Sequence, residues 1–273
     1  MSVATVPGPT ALIDEVLRVE CLTATPQTKR VYSSVMRNFI TRTGKTEGWT
    51  AGDVKEYFAG ELELGKTKTY LRFQYTALKP LFAHSGQVIP VPRGIVRPPR
   101  MDEVHAPALD PDEIMAMIEV ANSGALSPSD TALLAAATIW GFRRSELSRL
   151  TKTAEGFLTV SAAKTGVQRT HLIPDVMWPP LDGYEQMEML LVSDRFHVIR
   201  KAAKVRSQKG GGWHSIRRAV ATALWEAGIP GPTINAYMGW SPSSRYSATR
   251  YYRPRARDVD QAVYAVHPYL SMW

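Results

Sequence analysis

Four short segments of the sequence carry side chains that could act together on a phosphate group. They are residues 141–147, 164–166, 214–217 and 238–240, and a tyrosine-containing stretch at 250–252 follows the last of them. Arginine and lysine can neutralise a phosphate, histidine and tryptophan can donate hydrogen bonds to it, and a phenol can attack it. The sequence shows neither a carboxylate cluster for a metal ion nor a phosphate-binding glycine loop. We therefore predict cleavage of a phosphodiester by a nucleophile of the protein, without a metal or cofactor.

The first segment contains Arg143 and Glu146. A guanidinium can hold two non-bridging phosphate oxygens at once, which a lysine ammonium cannot do. Arg143 follows an apolar helix and a glycine, so we expect it at the rim of the core. Glu146 lies three residues later and could fix the guanidinium, but an ordinary helix pair at this spacing is equally consistent with the segment alone.

The other segments supply the remaining candidates. Lys164 lies at the tip of a predicted hairpin, where its ammonium could protonate a leaving oxygen; a solvent-exposed turn lysine is the alternative. His214 and Arg217 are three residues apart and should share one helix face. The indole of Trp240 could donate to a phosphate oxygen or simply anchor the core. One phenol of the arginine-rich stretch after Trp240 could be the nucleophile, because nearby cations favour its ionised form.

The composition is consistent with a polyanionic partner. The 273 residues carry 33 Lys and Arg against 25 Asp and Glu, a net charge of +8, and a 44% hydrophobic content allows a real core. The single cysteine, Cys21, excludes an intramolecular disulfide and suits a reducing compartment. We see no apolar run long enough to span a membrane and no signal peptide, so we expect a cytoplasmic, DNA-associated protein.

Hydrophobic periodicity predicts two folded regions. Residues 1–88 have the pattern of four or five short helices, the second of them capped at Thr28, and 89–107 is a proline- and arginine-rich linker. Residues 108–273 are predicted to be helical, including an apolar helix capped by Ser129 and Asp130. The period changes at 157–174, which predicts two strands joined by a turn. The fold class is therefore mainly α with a small antiparallel sheet.

The order of these motifs resembles that of the tyrosine recombinases, or phage integrases, including the Xer-type and Cre-like enzymes. Residues 141–147 are similar to the G-L-R-x-S-E-L segment of that family. Lys164 with the strand Arg169 to Pro174 is similar to the hairpin lysine and its R-x-x-x-P strand, and 214–217 match the H-x-x-R box. Residues 238–240 match the L-G-H box with tryptophan in place of histidine, as in Cre-like members.

The tyrosine departs from the family pattern. The family usually places it about nine residues after the final histidine or tryptophan, where this chain has Thr249. Residues 247–251 resemble the common T-T-x-R-Y ending, which favours Tyr251. Tyr252 remains a rival because it lies three residues after Thr249, whereas Tyr246 comes too early. A connecting loop longer by two residues would reconcile the spacing.

The resemblance implies a mechanism and an architecture. The tyrosine would attack the scissile phosphate to form a 3′-phosphotyrosyl link, and strands would be exchanged through a Holliday junction in a DNA-bound tetramer. Arg143, Arg217, His214 and Trp240 would stabilise the transition state, Glu146 would support them, and Lys164 would be the general acid. The helical bundle would be a SAM-like core-binding domain that closes a clamp around DNA with the catalytic domain. We expect no separate arm-binding domain before it, and hence a simple recombination site.

Further basic residues are expected to contact DNA. They are Lys66, Lys68, Arg72, Arg93, Arg97, Arg100, Arg144, Lys209, Arg218, Arg245 and Arg250. The tail after the tyrosine, residues 259–273, could dock on a neighbouring protomer or pack on its own domain. The alternatives to recombination are a relaxing topoisomerase, a hairpin-forming resolvase, or a DNA-binding relative that has lost activity. The displaced tyrosine favours the last of these, whereas the complete set of cations argues against it.

Overall fold

The structure is a computed structural model that describes residues 8–91, 94, 108–161, 168–208, 210–240 and 255–273. Its contacts divide the chain into two compact units, Met1–Val104 and His105–Trp273. Most of the linker predicted at 89–107 lies outside the described residues, so the domain limits drawn from the sequence stay a prediction. None of the helices in the described part of the chain is long and apolar enough to cross a bilayer.

The first unit contains four described helices. They are α1 (Pro9–Val19), α2 (Pro26–Thr43), α3 (Ala51–Glu63) and α4 (Lys68–His84). The predicted cap at Thr28 is wrong, because α2 begins one turn earlier. Thr25 is the N-cap, its hydroxyl accepts the backbone N–H of Thr28, and Pro26 occupies the first helical position. Phe39 lies at the centre of the core, with ring centroids of Tyr57 at 5.1 Å and Phe82 at 5.8 Å.

The second unit contains the remaining helices. They are α5 (Pro111–Asn122), α6 (Pro128–Trp140), α7 (Arg144–Leu147), α8 (Trp178–Asp182), α9 (Met189–Ala202), α10 (Trp213–Glu226), α11 (Gly231–Met238) and α12 (Ala256–Tyr264), with 3₁₀ turns at Asp175–Met177 and Leu270–Met272. The buried, apolar α6 lies in the core, as its composition predicted. Its N-cap is Ser127, not Ser129 or Asp130, because Pro128 starts the helix and Asp130 donates its N–H to the Ser127 hydroxyl.

The sheet has three antiparallel strands in the order β1-β2-β3. They are β1 (Thr151–Lys152), β2 (Phe157–Ser161) and β3 (Gln168–Leu172). Val160 lies opposite Arg169, and Leu158 lies opposite His171. The two predicted strands are therefore present and paired, while the turn between them lies outside the described residues. β1 is an additional strand, and its two residues are too few to show a periodicity in the sequence. The prediction of a mainly helical chain with a small antiparallel sheet is confirmed.

The C-terminal segment packs on the unit to which it belongs. Val259 and Val263 of α12 are buried in its core, and Asp260 accepts both the backbone N–H of Leu172 at 2.7 Å and a hydrogen bond at 2.8 Å from His171. The Trp273 indole donates to the Thr138 hydroxyl at 3.1 Å. The sequence left open whether the tail docks on a neighbouring protomer or packs on its own domain. In this single chain it packs on its own domain.

His267 gives the docked tail a defined pH dependence. Its Nε2 donates to the carbonyl of Ile139 at 3.0 Å and its Nδ1 accepts the N–H of Tyr269 at 3.2 Å, so the ring is neutral. Burial lowers the pKa of His267 to about 4, from an ordinary value of 6.5. The unfolded chain therefore takes up a proton in this window that the folded chain does not, and stability falls as the pH drops.

We predict that this histidine alone costs on the order of 3 kcal/mol of unfolding free energy between pH 6.5 and pH 4. His267→Gln should remove most of that dependence, although it lowers stability at neutral pH. Urea unfolding of both proteins at the two pH values measures the difference. Equal losses of unfolding free energy in the wild type and the variant would contradict the assignment.

Candidate active site

A left-handed turn positions Arg143. Helix α6 ends at Gly141, whose φ is +58°, and a Cβ atom built there would lie 2.6 Å from Cε of Met238. The left-handed backbone therefore favours glycine, and the end of the Met238 side chain would have to move for any larger residue. The turn buries Phe142 and leaves Arg143 as the N-cap of α7, with 36% of its side chain exposed. This is the rim position that the sequence predicted.

Glu146 is a buried carboxylate shared by arginines from three segments. Only 1% of its side chain is exposed. Its Oε1 accepts Nη1 of Arg143 at 2.8 Å, and its Oε2 accepts the backbone N–H of the same residue at 2.7 Å. Nη2 of Arg169 lies 2.7 Å from Oε2, and Nη1 of Arg217 lies 3.9 Å from it. Arg143 and Glu146 therefore form a buried cluster with two further arginines and not an ordinary exposed pair on a helix.

Arg217 lies beneath the surface, with 1% of its side chain exposed. It donates from Nη1 to the carbonyl of Gly141 and from Nη2 to that of Met238, so it joins the ends of α6 and α11. The guanidinium carbon is 5.3 Å from the ring centre of Trp240. His214, one turn earlier on α10, is exposed. His214 is thus exposed and Arg217 buried, although their spacing predicted that they share one helix face.

Trp240 is placed by a second left-handed glycine. Helix α11 ends at Gly239, with φ of +62°, and the indole that follows is 37% exposed over the guanidinium of Arg217. A tryptophan that anchors the core would be buried, so this arrangement differs from that alternative. The face of the indole instead lies over the guanidinium of Arg217 in a cation–π contact.

The cluster has more positive charge than its single carboxylate can neutralise. Burial acts to raise the pKa of Glu146, but the charge of Arg169 and the hydrogen bonds from Arg143 outweigh it, so that pKa is lowered. Burial, followed by the charges of Arg143 and Arg169, lowers the pKa of Arg217 to about 9. Arg217 is therefore still charged at neutral pH. Nε of Arg217 is buried without a hydrogen-bond partner among the described residues.

A cleft of about 440 Å³ opens beside this cluster. Arg143, Arg144 and His214 line it, together with Gly211 and Gly212 at the start of α10. His214 is exposed, but the partial desolvation of its ring and the nearby charges of Arg218, Arg217 and Arg143 lower its pKa, which favours the neutral imidazole at pH 7. The volume lies in the range of about 300–1,000 Å³ typical of small-ligand sites, so the cleft can hold a phosphodiester with its sugar.

The remaining predicted residues are dispersed or outside the described chain. Lys66 and Lys68 are exposed in the first unit and Arg72 is partly buried there, while Arg218 is partly buried on α10. Outside the described residues lie Lys164, Tyr251, Tyr252, Arg93, Arg97, Arg100, Lys209, Arg245 and Arg250. Their predicted roles stay predictions. Among the described residues no group of three or more His, Cys, Asp or Glu side chains could hold a metal ion.

Arg169 is the member of the cluster that the sequence did not single out. It lies on β3, where an arginine on a short strand gives no sign of what it faces. Its distance from Glu146 along the chain hid the contact. The signal that could have found it is its position, five residues after Lys164 and at the start of β3.

We predict that Gly239→Ala is more destabilising than Gly228→Ala. Both glycines have positive φ, +62° and +84°, so each alanine costs about 1–2 kcal/mol of backbone strain. A Cβ atom at 228 would meet open space, whereas one at 239 would lie 2.3 Å from Cδ of Arg169. The collision should add about 1–3 kcal/mol, measured by urea unfolding. Equal losses in the two variants would show that Arg169 is not fixed there.

No protein-family model and no curated protein matches the sequence. Solved structures do match. Lambda integrase (75–356), as a dimer bound to a COC′ core site, is 18% identical with a TM-score of 0.64, over 90% of this chain and 98% of that one. The Tn1549 transposon integrase bound to transposon right-end DNA is 17% identical with a TM-score of 0.64, over 95% and 99%. XerH site-specific recombinase bound to difH is 14% identical with a TM-score of 0.61, over 93% and 83%. The chain therefore has the fold of these integrases and recombinases.

Proposed function

We propose that the chain is a site-specific DNA recombinase of the tyrosine type, which cuts and rejoins DNA through a 3′-phosphotyrosyl intermediate. The observation that carries the proposal is the cluster of three guanidiniums around one buried carboxylate, beside a cleft with a neutral histidine. Such a surplus of charge suits an anion that gains charge during the reaction. The fold shared with DNA-bound integrases supports the same conclusion.

Each residue has a distinct part in this reaction. Arg143 offers its exposed fork to the non-bridging oxygens, and Arg217 adds its charge from below, with Trp240 as a further donor. The phenolic oxygen of Tyr251, or of its rival Tyr252, bonds to phosphorus while the bond to the 5′-oxygen breaks. The neutral imidazole of His214 can accept the phenol proton, and Lys164 gives one to the departing oxygen. Rejoining reverses these transfers, so neither ATP nor a metal ion is required.

The partner proposed for this chain is double-stranded DNA containing a recombination site, bound by four copies of the protein. A lambda integrase tetramer bound to a Holliday junction, 20% identical with a TM-score of 0.62, is among the similar structures. The exposed residues Lys66 and Lys68, the partly buried Arg72 and Arg218, and Arg144 in the cleft are proposed to contact the DNA backbone. The protein would accordingly be found with cellular DNA. The clamp arrangement and the domain limits remain part of the proposal.

Covalent capture from a random library tests the proposed chemistry and finds the target sequence in the same step. The protein is incubated with a library of duplexes that carry random sequence and a nick, so that cleavage releases a short strand and traps the adduct. We predict that the wild type retains DNA through denaturation in SDS and enriches a defined sequence. Only one of Tyr251→Phe and Tyr252→Phe should lose the adduct on the enriched site, which identifies the nucleophile.

The same library separates the competing functions. A relative that binds DNA without activity would enrich a sequence under native conditions but leave no DNA attached after SDS, which would contradict the proposal. A topoisomerase would form the adduct and relax a supercoiled plasmid without joining two sites. Recombination instead requires that a plasmid with two enriched sites yields new junctions.

We also predict different defects for two neighbouring arginines. Arg143→Lys keeps a positive charge but loses the fork, so adduct formation should slow by about 10²-fold while DNA affinity changes little. Arg144→Ala should weaken binding instead, and reduce the slope of log affinity against log salt by about one phosphate contact. Single-turnover rates and binding titrations on the enriched site measure both effects. A normal cleavage rate in Arg143→Lys would contradict the role given to Arg143.

A further inference from the structure

We infer that Arg169 is a positioning residue for the cleavage reaction. It holds the Glu146 carboxylate and the turn at Gly239, and so fixes the places from which Arg143 and Trp240 meet the phosphate. The inference rests on the proposed function and adds to it a residue that does not itself touch the DNA.

The contacts of Arg169 reach two of the segments that form the site. Its Nη2 lies 2.7 Å from Oε2 of Glu146, and its Nη1 donates to the carbonyl of Tyr237 at 3.3 Å. Its side chain fills the space where a Cβ atom of Gly239 would lie, and its guanidinium carbon is 5.4 Å from the ring centre of Phe142. Only 10% of the side chain is exposed. Arg169 thus contacts the arginine–glutamate segment and the turn that carries the indole.

The sheet holds the backbone of Arg169, because the residue lies in β3 opposite Val160. Its side chain therefore starts from a fixed place when it meets Glu146 and the turn at Gly239.

The contacts of Arg169 are poorly suited to stability alone. Burial lowers its pKa, which shows that its charge is costly to keep there. Its Nη2 forms an ion pair with Glu146, but its Nε has no partner among the described residues. A buried pair of this kind is weak evidence for stabilisation. Arg169 instead occupies one side of the Glu146 carboxylate. Arg217 donates to two backbone carbonyls and stays 3.9 Å from that carboxylate.

The test uses the site enriched by covalent capture and compares Arg169→Met, Arg169→Lys and the wild type. We expect Arg169→Met to slow single-turnover cleavage by about 10²-fold at saturating DNA, with DNA affinity within about twofold, because misplacement affects the transition state more than binding. Arg169→Lys should recover part of the rate. Loss of affinity in proportion to the loss of rate would contradict a positioning role.

Two further measurements separate positioning from general damage. On a substrate whose scissile phosphate is an uncharged methylphosphonate, the gap between Arg169→Met and the wild type should shrink, because charge stabilisation matters less there. A double variant with Glu146→Gln should be no slower than the slower single variant, since both act through one carboxylate. The inference would be overturned if the rate difference between Arg169→Met and the wild type stayed unchanged on the methylphosphonate and the rate losses of the two single variants multiplied in the double variant.

Arg195→Met is the matched control. Arg195 also pairs with a buried carboxylate of the second unit, that of Asp130, but it is not among the residues that line the cleft. It should lower stability yet leave the cleavage rate of the folded protein unchanged. A wild type that forms no adduct would contradict the proposed function itself. A normal rate in Arg169→Met, beside a wild type that reacts, would contradict only the inference about Arg169.

Discussion

The site depends on one carboxylate that must neutralise three guanidiniums. Glu146 is almost wholly buried, and an isolated carboxylate there would be protonated or unstable. Arg143 and Arg169 keep it charged, and in return it holds them near Arg217 against their mutual repulsion. Because one negative charge does not balance three positive ones, the cluster keeps a net positive charge that can attract a further anion. A phosphodiester supplies such a charge with oxygens that match the fork of an arginine.

The surrounding fold brings these charges together with two left-handed turns. Gly141 and Gly239 end α6 and α11, and at each of them a neighbouring side chain approaches too closely for a Cβ atom to fit. The carbonyls of Gly141 and Met238 then become the acceptors for Arg217. The tail is attached to the same unit, because Asp260 of α12 accepts hydrogen bonds from His171 and Leu172 at the end of β3. Strand, turns and tail therefore constrain one another.

The sequence predicted the parts of this arrangement that are encoded locally. The apolar α6, the hairpin and the rim position of Arg143 follow from periodicity and from a glycine after a buried helix. The burial of Arg217 could not be read in this way, because it depends on carbonyls of two other helices. Arg169 was missed for the same reason, since its partner Glu146 lies 23 residues earlier. The helix caps were predicted a few residues too late in the chain. Thr25 and Ser127 are the caps, because the proline after each fixes the first helical position.

The central claim is that the positive charge around Glu146 holds a single scissile phosphate through the exposed guanidinium of Arg143. A crystal structure of the Tyr251→Phe, Tyr252→Phe double variant bound to its cognate duplex tests this most directly. The account predicts one phosphate in contact with the guanidinium of Arg143, with Arg217 beneath it, Trp240 beside it and Glu146 behind. A duplex whose phosphates all stay away from Arg143 would contradict it.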